Sequence, residues 1–191
     1  MSARLQWALV IVGAWIMGSI CLSVVATQNF YTIDRLLKTS TKPQFYAAVQ
    51  KLGQDQARDL LRYLSSELNR LYFQGWNVTQ IVFGVLTLWL TASRSQRRNP
   101  SLNRARWGVV LMIAITLLMF GYLTPEIVSL GRSLDFVPRD PAPVEMRRFW
   151  ILHGAYTSLE MLKLLVAALV AYGIVRSGAA GLSKATATPG R

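Results

Sequence analysis

The stretch at residues 7–27 is WALVIVGAWIMGSICLSVVAT, and it contains no charged side chain. An α-helix rises about 1.5 Å per residue, so about twenty such residues cross the roughly 30 Å of hydrocarbon in a bilayer. A signal peptide is the alternative, but its apolar core is about 7 to 15 residues long, which is shorter than this run. The stretch therefore predicts a retained transmembrane helix.

Three further apolar stretches follow, at about 76–92, 107–123 and 149–176. Backbone groups in hydrocarbon must be satisfied within the segment, so apolar runs of this length favour helices over the alternating strands of a barrel. A Trp lies near one end of each of the four stretches, which is typical of the membrane interface. The sequence predicts an all-α, polytopic membrane protein with an antiparallel bundle of four transmembrane helices.

Composition alone leaves two classes of partner open. The 191 residues are 52% hydrophobic and 16% charged, and 21 Lys and Arg against 9 Asp and Glu give a net charge of +12. Such a charge is compatible with nucleic acid or with a membrane surface. A nucleic-acid binder would display its basic residues on a folded soluble face, whereas here they avoid the apolar stretches. We therefore predict the lipid bilayer as a partner and no nucleic acid.

The charges in the connections predict the orientation. The N-terminus, residues 91–106 and the C-terminal end hold nine basic residues and no acid, whereas 28–75 and 124–148 hold eleven basic residues and eight acids. Lys and Arg concentrate in cytoplasmic loops. We predict a multi-pass protein with both termini in the cytoplasm. Residues 177–191, rich in Gly, Ala, Ser and Thr, are expected to form a flexible cytoplasmic tail.

The first connection is amphipathic rather than linker-like. Apolar residues at helical spacing predict helices at about 30–38, 43–52 and 54–75, the last with charged residues between its leucines. Two placements stay open for 54–75, which either lies flat on the membrane or continues directly into the second span. After the third span, Thr124-Pro125-Glu126 predicts the start of a short helix.

The fourth stretch carries the chemically notable side chains. At about 100° per residue, one side of a helix would hold His153, Tyr156, Thr157, Glu160 and Lys163. Charged groups within a membrane are costly and mark a functional site or a structural pair. Either Glu160 and Lys163 neutralise each other, or this intramembrane polar face meets a cofactor, a substrate path or a partner subunit.

His153 is the only histidine, and its imidazole is the one candidate for an axial ligand to a tetrapyrrole such as haem or chlorophyll. A lone histidine at an interface is more often a hydrogen-bonding residue. A single histidine and a single cysteine disfavour other metal sites, and no nucleotide-binding, zinc-protease or hydrolase motif is present. We therefore predict that the protein is not an enzyme.

Small residues on the first stretch predict close helix packing. Ala14 and Gly18 are four residues apart, as are Ser19 and Ser23. Such pairs allow two membrane helices to approach closely.

With these residues in view, the chain resembles the family of small four-helix membrane proteins that includes transmembrane protein 205. The likeness spans about 7–176 and rests on three short motifs: Ala14-Trp15 with Gly18, Tyr122-Leu123-Thr124-Pro125-Glu126, and Phe149 followed by His153-Gly154. The charged amphipathic segment at 54–75 departs from the compact pattern. The resemblance implies an α-helical membrane bundle and no established reaction.

We expect a non-catalytic accessory or scaffold subunit, held by other membrane protein subunits or by self-association. A respiratory or photosynthetic complex is one setting for such a subunit. The first alternative is a small-solute or ion transporter whose path follows the polar face of the fourth helix. The second alternative is a tetrapyrrole-binding membrane module.

Overall fold

The structure is a computed structural model of the chain, and it describes residues 1–39, 42–92, 99–138 and 141–186. The described residues form the helices α1 (Ala3–Thr39), α2 (Pro43–Leu52), α3 (Gln54–Thr91), α4 (Pro100–Leu118), α5 (Thr124–Ser133) and α6 (Val144–Thr186). A π-helical turn, Met119–Leu123, joins α4 to α5 without a break. Every regular element in these described ranges is helical, so the all-α prediction is confirmed.

Three helical segments are long and apolar enough to cross a membrane. They are α1, the continuous segment Pro100–Ser133 and the Val144–Ala179 part of α6. This length and composition are those of an integral, multi-pass membrane protein. The helix α3 is not among the three, so the length and composition of the helices do not establish a fourth span.

Several predicted boundaries differ from the observed ones. Residues 30–38 are not a separate helix, because α1 continues through them to Thr39 with no proline or glycine to end it. The segment 54–75 continues directly into the second predicted span as the single helix α3. The predicted tail is wrong for 177–186, which extends α6 in a proline-free, Ala-containing sequence. Residues 187–191 lie outside the described part.

The four long helices pack side by side. The helix α1 lies between α3 and α6, and α4 lies between the same two helices on the other side. Antiparallel neighbours fill a shared core of large side chains and small alanines, which includes Val12, Trp15, Leu102, Met112 and Val170. Glycines bring the backbones close together: a Cβ at Gly84 would lie 2.4 Å from Ile113 on α4, and one at Gly108 would lie 2.6 Å from Val170 on α6.

The C-terminal part of α1 and the N-terminal part of α3 continue beyond the shared core, and α2 connects their ends. We call residues 28–39 and 42–68 the arm. At its base, Asn29 Nδ2 donates to Asn69 Oδ1, just outside the arm, at 2.8 Å, and within it the Asp34 carboxylate lies 3.6 Å from both Arg58 and Arg62. Polar pairs therefore align α1 and α3 where the shared core has ended.

Candidate functional site

The chemically notable feature of the structure is a buried polar network to which all four long helices contribute. We call it the central network. Its members are Trp15 and Ser19 of α1, Trp76 and Gln80 of α3, Thr116 of α4, and Glu160 and Lys163 of α6. Since each helix supplies at least one member, the network fixes the four helices at one common level.

Lys163 is the centre of this network and is only 2% exposed. Its Nζ lies 2.6 Å from Glu160 Oε2, donates to Gln80 Oε1 at 2.5 Å and donates to Thr116 Oγ1 at 3.4 Å. The ammonium group therefore makes one ion pair and two hydrogen bonds, and Glu160 Oε2 is held by the ion pair alone. A buried charge is tolerated when it is paired and hydrogen-bonded in this way.

The Glu160 carboxylate connects the ion pair to α1. Its other oxygen, Oε1, accepts from Ser19 Oγ at 2.6 Å, and that hydroxyl in turn accepts from Trp76 Nε1 at 3.3 Å. Trp15 Nε1 donates to Gln80 Oε1 at 2.9 Å. Both indole N–H groups therefore stabilise acceptors next to the ion pair, which agrees with the rule that buried tryptophans find a hydrogen-bond partner.

The Gln80 side chain is fully buried and only half satisfied. Its Oε1 accepts from both Trp15 and Lys163, whereas its Nε2 has no hydrogen-bond partner. A buried amide donor without a partner is destabilising by about 1–3 kcal/mol unless an ordered water supplies an acceptor. Polar partners therefore surround the two charges of the central network, and Gln80 Nε2 beside them is an unpaired donor.

A second, smaller polar contact lies nearer the outer end of the bundle. Asn77 Nδ2 donates to Thr124 Oγ1 at 3.0 Å, and Tyr156 Oη donates to Asn77 Oδ1 at 3.4 Å. Phe73 packs edge-on against the Tyr156 ring with centroids 5.5 Å apart. Asn77 therefore joins α3 to both α5 and α6, one helical turn above the central network.

The structure divides the predicted polar face of the fourth helix. Tyr156, Glu160 and Lys163 are buried, whereas His153 and Thr157 are exposed. At about 100° per residue, the three buried side chains lie within roughly 60° of one another, and His153 and Thr157 fall on one edge of that arc. The face of α6 that meets the bundle is therefore narrower than the spacing predicts, because it includes Tyr156, Glu160 and Lys163 but not His153 or Thr157.

His153 lies on the outer surface of α6 and contacts none of the central network. Its ring stacks on Phe149 with centroids 5.7 Å apart and meets Trp150 edge-on at 5.9 Å. Among the described residues, no group of three or more His, Cys, Asp or Glu side chains is placed to hold a metal ion. An axial-ligand role for His153 would thus use the membrane-facing surface of the bundle.

The residues of the two predicted packing pairs of α1 also differ in burial. Ala14 and Ser23 are exposed, whereas Ser19 is buried and bonds Glu160. Gly18 does allow close approach, because a Cβ there would lie 2.0 Å from the Trp76 ring. The close contact is therefore between a glycine and a tryptophan side chain rather than between two small-residue faces.

Sequence reasoning missed the partners of the ion pair on the other three helices. In the sequence, Trp15 stands out only as part of the family resemblance, and nothing singles out Asn77 or Gln80 as partners of the charges. Their signal was present, since two amides three residues apart interrupt an otherwise apolar stretch. Amides in membrane helices commonly hydrogen-bond across helices.

Comparison of the chain with protein-family models, with curated proteins and with solved structures gave no match.

Proposed function

We propose that this chain is a non-catalytic, four-span integral membrane protein that serves as an accessory or scaffold subunit of a larger membrane assembly. The proposal has two parts. The first is that α3 crosses the membrane together with α1, α4 and α6. The second is that the arm presents a binding surface to another membrane protein subunit.

The distribution of side chains around α3 supports a fourth span. Its polar residues face inward: Asn77, Gln80 and Thr87 are fully buried in the bundle. Its outward residues are large and apolar, and they include Val78, Val82, Val85, Leu86 and Trp89. Within 76–91, the modest hydropathy of α3 therefore comes from polar groups buried inside the bundle, while the surface that lipid would meet is apolar.

The position of the central network along the four helices also supports a fourth span. Ser19 and Thr116 lie near the middle of the apolar stretches of α1 and α4, and both contact the Glu160–Lys163 pair or its partners. Four helices that meet at one mid-stretch level share one membrane thickness. Both termini would then lie on the same side, which the positive-inside rule assigns to the cytoplasm.

The observation that carries the scaffold role is the exposed apolar stripe of the arm. Along α3, Leu60 is 52% exposed and Leu64 is 56% exposed, and Leu71 continues the stripe toward the bundle at 62%. A helix of 38 residues is about 57 Å long, which exceeds the hydrocarbon thickness by roughly 27 Å. Leu60 therefore lies beyond the region where lipid tails would cover it, and such stripes are typical of protein interaction sites.

The closed central network favours a scaffold over a transporter. Lys163 is ion-paired to Glu160 Oε2 and donates to side chains of α3 and α4, and Glu160 Oε1 accepts from Ser19 of α1. A group that carries substrate must exchange partners during each cycle, whereas these contacts hold four helices together. The ion pair is better explained as the element that fixes the bundle from which the arm projects.

The test compares native assemblies of matched variants of the full chain. Membranes from the source organism are solubilised in mild detergent, and the assembly size is measured by native electrophoresis with mass spectrometry. Leu60→Gln with Leu64→Gln should release the chain from the larger assembly. Tyr46→Gln, at a side chain of α2 that is 61% exposed, is the control and should leave the assembly intact.

Thermal stability of the purified variants shows whether they fold. Because Leu60 and Leu64 are largely exposed, the double variant should unfold within about 1 kcal/mol of wild type. A wild-type chain that migrates alone in mild detergent, or a folded double variant that stays in the assembly, would overturn the scaffold role. An assembly made only of copies of this chain would identify self-association as its form.

A further inference from the structure

We propose that the groove between α3 and α5 binds one phospholipid, with an acyl chain in the groove and the phosphate on Arg132. This inference rests on the proposed fourth span, because lipid reaches the groove only if α3 lies in the membrane. The ligand class follows from an apolar groove with a cation at its open end.

The groove is a cleft of about 500 Å³ at the surface of the bundle. It is lined by Gln74, Gly75 and Val78 of α3 and by Phe120, Thr124, Pro125 and Val128 on the other wall. This volume lies in the range of about 300–1,000 Å³ that is typical of small-molecule sites, and the lining is mostly apolar. The groove therefore has the size and character of a site for a hydrocarbon chain.

Local backbone chemistry keeps the groove open. The π-helical turn Met119–Leu123 widens the helix directly before Pro125, which has no N–H to donate to the preceding turn. Gly75, which lines the groove, adds no side chain, and a Cβ there would have no neighbour within 4 Å. The opening is thus part of the fold and does not depend on side-chain rotation.

The two walls are held at a fixed spacing from beneath. The hydrogen bond from Asn77 Nδ2 to Thr124 Oγ1 joins α3 to the first residue of α5, and both residues are buried. Thr124 also lines the groove. A binding site with a rigid floor requires less ordering when its ligand enters, which favours a retained lipid over a passing one.

Arg132 lies at the open end of the groove. Thr124, Val128 and Arg132 are spaced by four residues and therefore share one face of α5. The Arg132 side chain is 62% exposed, and its Nε lies 3.5 Å from Glu67 Oε1. A guanidinium has five N–H donors, so this long contact leaves donors for a phosphate, which Arg binds in a fork geometry.

Several other charged residues in the described part of the chain near this end form ion pairs. Arg70 binds Glu67 and Asp135, and Glu126 Oε2 accepts from Arg148 at 2.7 Å. From Thr116, near the middle of the apolar stretch of α4, the helical rise to Arg132 is about 24 Å, against about 15 Å of hydrocarbon and roughly 20–22 Å of hydrocarbon plus headgroups in one leaflet. Arg132 therefore lies at the outer part of the headgroup region, where its long side chain can bind a phosphate whose acyl chain fills the groove.

The test uses the full-length chain in phosphatidylcholine nanodiscs that contain phosphatidylglycerol with a photoactivatable acyl chain. After illumination, adducts are mapped by peptide mass spectrometry. They should concentrate on the groove residues of α3 and α5. Arg132→Gln should lower groove labelling about threefold, in keeping with one solvent-exposed ionic contact, and Val128→Trp should lower it further by filling the groove.

Arg148→Gln is the matched control, since Arg148 is also 62% exposed and paired with a glutamate. It should leave groove labelling unchanged. Adducts spread evenly over all membrane-facing side chains, or equal labelling in the two arginine variants, would overturn the lipid site. Labelling of Val82 and Trp89 reports separately on α3, because a chain without adducts there would refute the fourth span itself.

Discussion

Replacing Lys163 with methionine should destabilise the bundle strongly, because it leaves Glu160 as a buried carboxylate without a cation. Glu160 is only 8% exposed, and the nearest positive charge is the ammonium 2.6 Å away. Breaking a buried pair by removing one partner typically costs about 3–5 kcal/mol. We expect a loss in that range for Lys163→Met and a similar loss for Glu160→Gln.

The double variant Glu160→Gln with Lys163→Met separates the ion pair from simple packing. It removes both charges, and the new amide can still accept from Ser19, so its loss should be about 1–2 kcal/mol from the unpaired partners of Lys163. The two single losses together exceed the double loss by at least about 4 kcal/mol, which is the coupling energy that the double-mutant cycle should give. Met161→Leu, at an exposed position of the same helix, is the control and should change stability by less than about 0.5 kcal/mol.

The assay is unfolding of the purified chain in mixed micelles of rising SDS content, followed by tryptophan fluorescence. Trp15 and Trp76 belong to the central network and report directly on its separation. A loss below about 1 kcal/mol for Lys163→Met, or a cycle with no coupling, would refute the reasoning. Either result would mean that the two charges do not depend on each other within the bundle.

Two further predictions concern packing and pH. Gly108→Ala should destabilise the α4–α6 contact by about 1–3 kcal/mol in the same assay, because its Cβ would lie 2.6 Å from Val170. Gly13→Ala, where a Cβ meets nothing within 4 Å, should not destabilise. The hydrogen bond from Arg70 holds the pKa of the Glu67 carboxyl below its usual value. A depressed carboxyl pKa contributes stability above its unfolded pKa, and that contribution is lost as the pH falls through the folded pKa. The midpoint of thermal unfolding, measured from neutral to acid pH, should therefore fall less steeply for Glu67→Gln than for wild type, and parallel curves would contradict this assignment.

The sequence was most informative where one helix contains the whole pattern. The spacing of Glu160 and Lys163 predicts a pair on one side of α6, and the structure places their charged groups 2.6 Å apart. The predicted helix start at Thr124-Pro125-Glu126 is different in the structure, because α4 continues through the π-helical turn into α5 and no side chain caps α5. Interactions within three or four residues depend on helical geometry, which the sequence alone determines.

Contacts between helices were not predictable in the same way. The partners of Lys163 on α3 and α4 are 83 and 47 residues away. Periodicity identifies which side of each helix faces inward, but it does not determine which levels of two helices meet. That level depends on the glycine contacts at Gly84 and Gly108, which set how closely and at what height the helices pack.

If α3 is the fourth span that we propose, it illustrates why composition alone separates spans imperfectly. A single-span helix must be apolar on all sides, whereas a helix inside a bundle needs an apolar surface only where it meets lipid. Asn77 and Gln80 lower the hydropathy of α3, yet each hydrogen-bonds to side chains of two other helices. The same amides also set its position, since Gln80 meets the charge pair and Asn77 holds the floor of the groove. The amides that lower the hydropathy of residues 76–91 are therefore those that bind α3 to the bundle, and the exposed Leu60 and Leu64 of its N-terminal part form the surface proposed for a partner.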